Sequence, residues 1–405
     1  MQANRLFSKF FHPCHSEHFT GIASSIALWS IAVGIFVMLI SYAILNGFRQ
    51  QISNKIFSFG GHIQLTKYEQ NVGFQENGIP YNAAFVDTCM RHPYISSVSS
   101  FCQKAGIIKA NNEICGAIVK GIDSTFDFHQ FRHYLLDGTF INFKDSASAK
   151  SIVISSSIAH KLKLKTGDYL IMYFIQNPPR YRKLKIVGIY ETGLEEFDQN
   201  MVFGHHKLIK KLNNWPDSTI GGYDISLHDI SKIDSAFAYI YYQMDYGVGI
   251  EKITDKYISL FDWLKLLNQN VRIFLGLIML VVVFNMVSCL FVIIMEKTSV
   301  IGILKALGAG NKLINQLFVN NILLIVLKGM AVGNILAILF CVLQYYFGII
   351  PLDKENYYVD AVPVAYDIPI AILLNIALFA LSLAALLVPN IIISRISPAR
   401  AIRFA

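Results

Sequence analysis

Charge is scarce in this chain. Charged residues make up 15% of its 405 residues and hydrophobic ones 54%, where an ordinary soluble domain carries about 25% charge. A single water-soluble globule is thereby excluded. Signatures of catalysis are missing as well. Gly302, Gly308 and Lys312 have neither the spacing of a phosphate-binding loop nor a strand before them. No G-x-S-x-G or H-E-x-x-H occurs, and the 6 cysteines make no C-x-x-C and no Cys/His metal spacing. Adjacent His205 and His206 cannot share one face of a strand or helix, so they are a poor metal pair. His12, His15 and His18 are spaced i,i+3, but Pro13 interrupts any helix there. The chain reads as a non-enzyme, with no metal site and no cofactor of its own.

What the chain has instead is long apolar runs. Residues 21–46, 271–295, 314–347 and 367–393 each reach the roughly 20 residues needed to cross a hydrocarbon core. Between the first and second, residues 47–265 have ordinary soluble polarity, and about 220 residues suffice to bury a core, as one domain or two subdomains. The first run, 21–45, is longer than the 7–15 residues of a signal-peptide core and is read as an uncleaved anchor. Basic residues set the orientation. Arg5, Lys9, Lys297, Lys305, Lys312, Arg395, Arg400 and Arg403 share one side, opposed by Glu17 and Glu296. The short loop 348–366 carries Asp353, Glu355 and Asp360 against Lys354. The lead-in 1–20, the 296–312 loop and the tail 394–405 are therefore expected in the cytoplasm, with 47–265 and 348–366 outside. The net charge of +8 reflects this asymmetry and gives no reason to invoke nucleic acid. Outside, Cys89, Cys102 and Cys115 are an odd set, leaving at least one free thiol.

The external segment shows mixed α/β patterning. Residues 95–110 and 113–121 form a hairpin about Asn111-Asn112. Residues 152–155, 159–162, Gly167-Asp168 and 169–174 read as strand, helix, turn and strand. Further strands are expected at 185–190, 201–203 and 223–227, and helices at 206–213 and 231–244. Between two strands lies a loop of Gln176, Asn177, Pro178, Pro179, Arg180, Tyr181, Arg182 and Lys183. It fits either a stiffened polar tip or a protruding contact loop, since Tyr, Pro and paired Arg suit an interface. Within the apolar runs, Asn285 and Ser288 sit one turn apart, and Asn320, Asn321 and Asn334 suit interhelical hydrogen bonds. Lys328 must face protein or water. Gly329 and Gly333 make a small-x3-small pair that predicts close packing on another span.

Between the second and third runs lies Glu296-Lys-Thr-Ser-Val-Ile-Gly-Ile-Leu-Lys-Ala-Leu-Gly-Ala-Gly310. Val300, Ile301, Leu304 and Leu307 give it an apolar stripe, and Gly308 a C-terminal stop. On periodicity alone it is either a turnaround or a helix shaped for a partner's groove. Its wording resembles the coupling helix of FtsX/MacB-type ABC transporter permeases. Leu45-Asn-Gly-Phe48, Gly61-His62-Ile63, Leu260-Phe-Asp-Trp-Leu264 and Phe284-Asn-Met-Val-Ser288 resemble the lipoprotein-releasing, LolC/LolE-like branch. So do Pro351-Leu-Asp-Lys-Glu-Asn-Tyr-Tyr358, Val362-Pro363 and Pro398-Ala-Arg-Ala-Ile-Arg-Phe404.

The resemblance implies an α-helical membrane protein of the cell inner membrane. It has four transmembrane helices, and a large α/β, MacB-like periplasmic domain lies between the first and second spans. It implies a mechanotransmission permease working with a second permease copy or paralogue, and with a LolD-like ATPase that binds ATP and Mg. Glu296, Lys297, Val300, Ile301, Gly302, Leu304, Lys305, Leu307 and Gly308 would receive the ATPase stroke. Stalks at 48–58 and 254–265 would carry it outward. Lipoproteins would enter a cavity lined by Ile35, Phe36, Leu39, Tyr42 and Asn285, although lipid-facing or dimer-packing roles fit these residues too. Asn177, Pro178, Pro179, Arg180, Tyr181 and Arg182 occupy the place of a hook for a LolA-like carrier, but this loop is short for one. A MacB-like efflux permease or an FtsX-like regulator of cell-wall hydrolases is the alternative. The external segment is large for the second, and about 20 residues before the first span leave no room for the fused ATPase common in the first.

Overall fold

The computed structural model describes residues 18–68, 77–144, 146–296, 298–353, 357 and 359–385. Lys297, most of the lead-in, and everything after 385 lie outside the described residues. Two compact units emerge, one of residues up to 50, 264–351 and 361 onward, the other of 51–263 and 352–360.

The first unit is helical. It holds the apolar part of α1 (His18–Gly60), most of α9 (Ile258–Glu296), α10 (Thr298–Ala306), α11 (Asn311–Phe347) and α12 (Ile368–Ala385). By length and composition, four of these helices contain stretches able to cross a membrane: Ser24–Gly60, Ile258–Met295, Lys312–Phe347 and Ile368–Ala385. Lipid gives no hydrophobic reward for helix association, so packing and interhelical hydrogen bonds must hold such a bundle. Both are present. A Cβ on Gly333 would lie 1.9 Å from Ile35 Cγ2 and 2.5 Å from the Ala32 carbonyl oxygen, and one on Gly329 2.9 Å from the Leu28 carbonyl. The small-x3-small pair thus seats α11 on α1. Gly34 plays the same part toward α9, where a Cβ would meet Val282 at 2.2 Å. Asn334 and Asn375 exchange side-chain hydrogen bonds of 2.8 and 3.0 Å between α11 and α12. Each also donates to the carbonyl four residues before it, Met330 and Ala371. Lys328 is exposed on this chain.

The second unit is α/β. A long strand, β3 (Ile95–Ala110), organises it. From Phe101 onward β3 pairs with β4 (Glu113–Ile122) across the Asn111-Asn112 turn, whose φ of 48° and 66° suits a two-residue hairpin. Its later residues also pair with β7 (Tyr169–Phe174), and β7 pairs with β8 (Arg180–Tyr190). With β6 (Ser151–Ser155) and β9 (Met201–His205) between β8 and β4, six strands close into a ring. Alternation in β7 sends Leu170, Met172 and Phe174 inward. Helices α4 (Ser156–Leu162) and α6 (His206–Asn213) add Ile158, Leu162, Leu208 and Leu212 to that core.

The early part of β3 belongs to a second layer. It pairs with β11 (Gly222–Leu227), which pairs with β1 (Ile63–Lys67), which pairs with β12 (Val248–Lys252). Helices α2 (Ala83–Met90) and α7 (Ile233–Gln243) cover it through Phe85, Ala236 and Ile240. Two subdomains therefore share one strand.

Sequence reading and structure differ at three places here. β8 begins at Arg180, so Arg180, Tyr181 and Arg182 are strand residues opposite Phe174, Tyr173 and Met172, and the connecting loop shrinks to 175–179. Basic and aromatic side chains alternating at the edge of a hairpin continue a ladder as well as they make a tip. The second stalk is not one helix: α8 (Ile253–Lys256) stops at Tyr257, whose φ of −109° and ψ of 46° are not helical, and α9 starts at Ile258. The Tyr257 ring packs on Phe197 at 4.9 Å. Third, β1, β5 (Leu135–Gly138), β12 and α2 went unforeseen, as did the short elements β2 (Ile79–Pro80), α3 (Phe128–Phe131), α5 (Glu195–Asp198) and β10 (Thr219–Ile220). Cys89, Cys102 and Cys115 are all buried, and none of them is in a disulfide.

Candidate functional site

The helix α10 is the feature most able to meet a partner. It ends where Gly308 takes φ 89°, with Leu307 and Gly308 amides donating to Ile303 and Lys305. Its faces are not disposed as the stripe of Val300, Ile301, Leu304 and Leu307 implies. Ile301 is 0% exposed and belongs to the bundle core with Ile314, Ile293 and Ile294, and Leu304 packs half-buried against the same cluster. Gly302 is buried too. Val300, Ile303 and Leu307 form the stripe turned away from the bundle, Leu307 being 80% exposed. They fall at i, i+3 and i+7, one continuous face. Ile303 was missed because either stripe satisfies helical periodicity. Glu296 ends α9, and Lys305 is half-buried within α10.

Four of the five cavity residues come together, but in the packed core of the bundle, and Asn285 stands apart from them. Ile35 and Leu39 are buried inside this chain's own bundle, with Phe36 and Tyr42 packed against it. Asn285 and its neighbour Ser288 face away on α9, beside exposed Phe284 and Val281. On α1 the exposed large apolar side chains include Ile26, Trp29 and Val33. An amide at an apolar, outward position is costly in hydrocarbon unless protein or water meets it.

Two separated motifs do come together. Ala365 donates to the Ala43 carbonyl at 2.9 Å, and Asn46 reaches the Ala365 carbonyl at 3.4 Å. A Cβ on Gly47 would sit 2.4 Å from the Pro363 carbonyl oxygen. The Leu45–Phe48 wording and Val362-Pro363 are thus two halves of one contact at the end of the first span. Gln344, 2% exposed, fixes the incoming loop by bonding Ile350 and Val362.

In the β7–β8 hairpin the peptide before Pro178 is cis. Arg180 is engaged within the domain, donating to the Leu212 carbonyl at 2.8 Å and to Asn214 Oδ1 at 3.0 Å. It serves the end of α6. Tyr181 is exposed and lies 5.9 Å from Tyr173, and Arg182 bonds the Tyr181 carbonyl.

His205 caps α6 by accepting from the Lys207 amide, and His206 contacts the Ile122 carbonyl. Burial, followed by the neighbouring His206, pushes His205 down to about 4. Among the described residues no cluster of three or more His, Cys, Asp or Glu could hold a metal.

Residues 24–255 match the MacB-like periplasmic core domain and residues 272–398 the FtsX-like permease C-terminal domain. The chain is similar to the lipoprotein-releasing system transmembrane protein LolC of Xylella fastidiosa (strain Temecula1), 21% identical over 95% of each chain. It is equally similar, at 21% over 91% of each chain, to LolE of Haemophilus influenzae. The periplasmic region of MacB from Actinobacillus actinomycetemcomitans aligns with a TM-score of 0.35 and 14% identity, over 49% of this chain and 92% of that one.

Proposed function

The chain belongs to the family of FtsX-like permeases with a MacB-like periplasmic core domain, and on that premise we propose that it is the permease subunit of a transporter releasing lipoproteins from the inner membrane. The observation that carries this reading is the end-to-end match to LolC and LolE proteins, 95% of both chains in one case. An ABC ATPase supplies the energy. It binds the Val300, Ile303 and Leu307 face of α10, an exposed apolar stripe at the spacing of a groove-docking helix. The termini and α10 are cytoplasmic and the α/β unit periplasmic. Two permease copies or paralogues form the working unit, and the polar Asn285–Ser288 edge of α9 faces the partner or the cargo.

Lifting an acyl chain from the bilayer costs about 0.8 kcal/mol per CH₂. Release therefore needs both an apolar host and an energy source. The outward side chains Trp29 and Val33 of α1 and Phe284 of α9 supply apolar surface for that host. Ile35 and Leu39, committed to the chain's own core, do not.

Depletion of the protein tests the reading. Triacylated lipoproteins should accumulate in the inner membrane while small-molecule efflux is unchanged, and a photo-crosslinker at Val33 or Asn285 should capture lipoprotein, less of it when ATP is supplied. Normal lipoprotein sorting after depletion would defeat the proposal.

A further inference from the structure

The end of α1 in the α/β unit is held by a buried polar network that the domain core does not need. Lys120 on β4 is 1% exposed. Its ammonium contacts the Phe59 backbone carbonyl, the Asp224 carboxylate on β11 and, at 4.7 Å, the face of Phe101. Asp224 accepts from Gln64 Nε2 of β1 at 2.8 Å, and Gln64 Oε1 accepts from Lys256 of α8 at 2.6 Å. Each member lies on a different element.

The chemistry of the Phe59 contact is specific. Carbonyls in the last turn of a helix have no intrahelical donor, and the helix dipole favours a cation there. Lys120 therefore caps the outer end of the first stalk. Its counter-charge Asp224 sits on β11, in the layer that carries β1 and β12, whereas β4 belongs to the six-stranded ring. Lys256, at the entrance to the second stalk, closes the chain of bonds. The same helix end is also packed by rings: Phe59 stacks on Phe197 at 4.3 Å and meets Phe131 at 5.5 Å and Phe203 at 5.6 Å. Two residues earlier Phe57 stacks on Phe261 of α9 at 5.7 Å. Rings alone would bury and fix this end. A buried ion pair stabilises folds poorly compared with apolar residues of similar volume, so stability gives little reason for one here.

We propose that Lys120, Asp224, Gln64 and Lys256 form the joint at which movement of the two stalk segments is handed to both subdomains of the external domain. The inference rests on the mechanotransmission reading above. When the stalk end moves, its carbonyl carries Lys120, and Lys120 carries β11 through Asp224. Gln64 and Lys256 return the same displacement to the second stalk. These four are positioning residues that contact no cargo.

The test uses the complete assembly, permease with ATPase, in lipid nanodiscs. Two variants are compared with the parent: Lys120→Met with Asp224→Leu, which removes both charges and leaves neither orphaned, and Lys256→Met, which cuts the second stalk from an intact pair. Hydrogen exchange of residues 118–122 and 222–226 is followed with and without ATP plus vanadate, beside ATP turnover, thermal midpoint and lipoprotein released per ATP. The expected result is midpoints within a few degrees of the parent, ATP turnover within about twofold, loss of the nucleotide-dependent exchange change, and release per ATP reduced about tenfold. A folded variant that keeps the parent's nucleotide-dependent exchange change overturns the joint. Should the double variant fail to fold, Lys256→Met decides alone by the same criterion. If the parent assembly itself shows the exchange change but releases no lipoprotein, the functional reading fails and the joint stands.

Discussion

Gly333→Ala adds a single methyl at the crossing of α1 and α11. Its Cβ would lie 1.9 Å from Ile35 Cγ2, 2.5 Å from the Ala32 carbonyl oxygen and 3.1 Å from Ala32 Cα. Carbon atoms rest about 3.5–4.0 Å apart, so the helices must part by more than ~1 Å. Rotating Ile35 could relieve the methyl contact, but the backbone oxygen cannot move aside. Overpacking of this kind costs about 1–3 kcal/mol, and replacing helical Gly by Ala returns up to about 1 kcal/mol. The net expectation is a loss of up to about 2 kcal/mol, and more for Gly333→Leu. Gly276 on α9 supplies the internal control, because a Cβ there meets nothing within 4 Å. Gly276→Ala should be neutral or stabilising. Thermal unfolding of the purified chain in detergent reads the difference, and combining Gly333→Ala with Ile35→Ala should show a favourable coupling of about 1 kcal/mol. Equal midpoints for Gly333→Ala and Gly276→Ala would refute close α1–α11 packing.

On α10 the two stripes separate folding from docking: Ile303→Asp should keep the chain inserted and monodisperse while abolishing ATPase co-purification. Ile301→Asp should instead destabilise the chain by several kcal/mol, since it buries an unpaired charge; identical phenotypes would contradict the assignment. The Asn334–Asn375 pair predicts a cycle in which either single Asn→Leu change costs about 1–2 kcal/mol and the double change recovers about 1 kcal/mol, read from the same unfolding assay. Burial pushes His62 down to about 4, and its Nδ1 accepts from the Leu227 amide at 3.1 Å. The unfolded chain, with an ordinary His pKa of about 6.5, then binds the extra proton first, so this contribution is whole above pH ~6.5 and is lost as pH falls toward ~4, about 3 kcal/mol in all. His205 acts with the same sign, and His62→Gln should flatten part, not all, of the slope in near-UV circular dichroism.

Much of the architecture is legible in the sequence. Apolar runs long enough to span lipid are hard to disguise, and the Asn111-Asn112 turn, Gly308 stop and Gly329/Gly333 pair each announce a local geometry only they supply cheaply. Partnerships formed across hundreds of residues were not legible. Nothing in Lys120 or Asp224 alone says that they meet, because a lone Lys or Asp in a strand is usually a solvated one. The closure of the ring through β7 rests on pairings between β3 and β7, more than 60 residues apart, which no local periodicity encodes.

The misassigned face of α10 shows where such reading stops and what it still offers. Val300, Ile301, Ile303, Leu304 and Leu307 place apolar side chains on two adjoining stripes of a short helix. Periodicity picks either stripe, and only the tertiary neighbours of Ile301, among them Ile314 and Ile293, decide which one the chain itself covers. Yet two stripes are more than a simple turnaround requires. A linker helix lying on its own bundle needs one apolar face, and its other face should read as charged and polar. Here the second face keeps three large aliphatic side chains, one of them 80% exposed, and leaves them contiguous. A contiguous apolar surface that the chain does not cover marks a contact made elsewhere. Under the function proposed above, the doubled stripe puts the expected ATPase contact on Val300, Ile303 and Leu307 rather than on Ile301 and Leu304, which the chain itself covers.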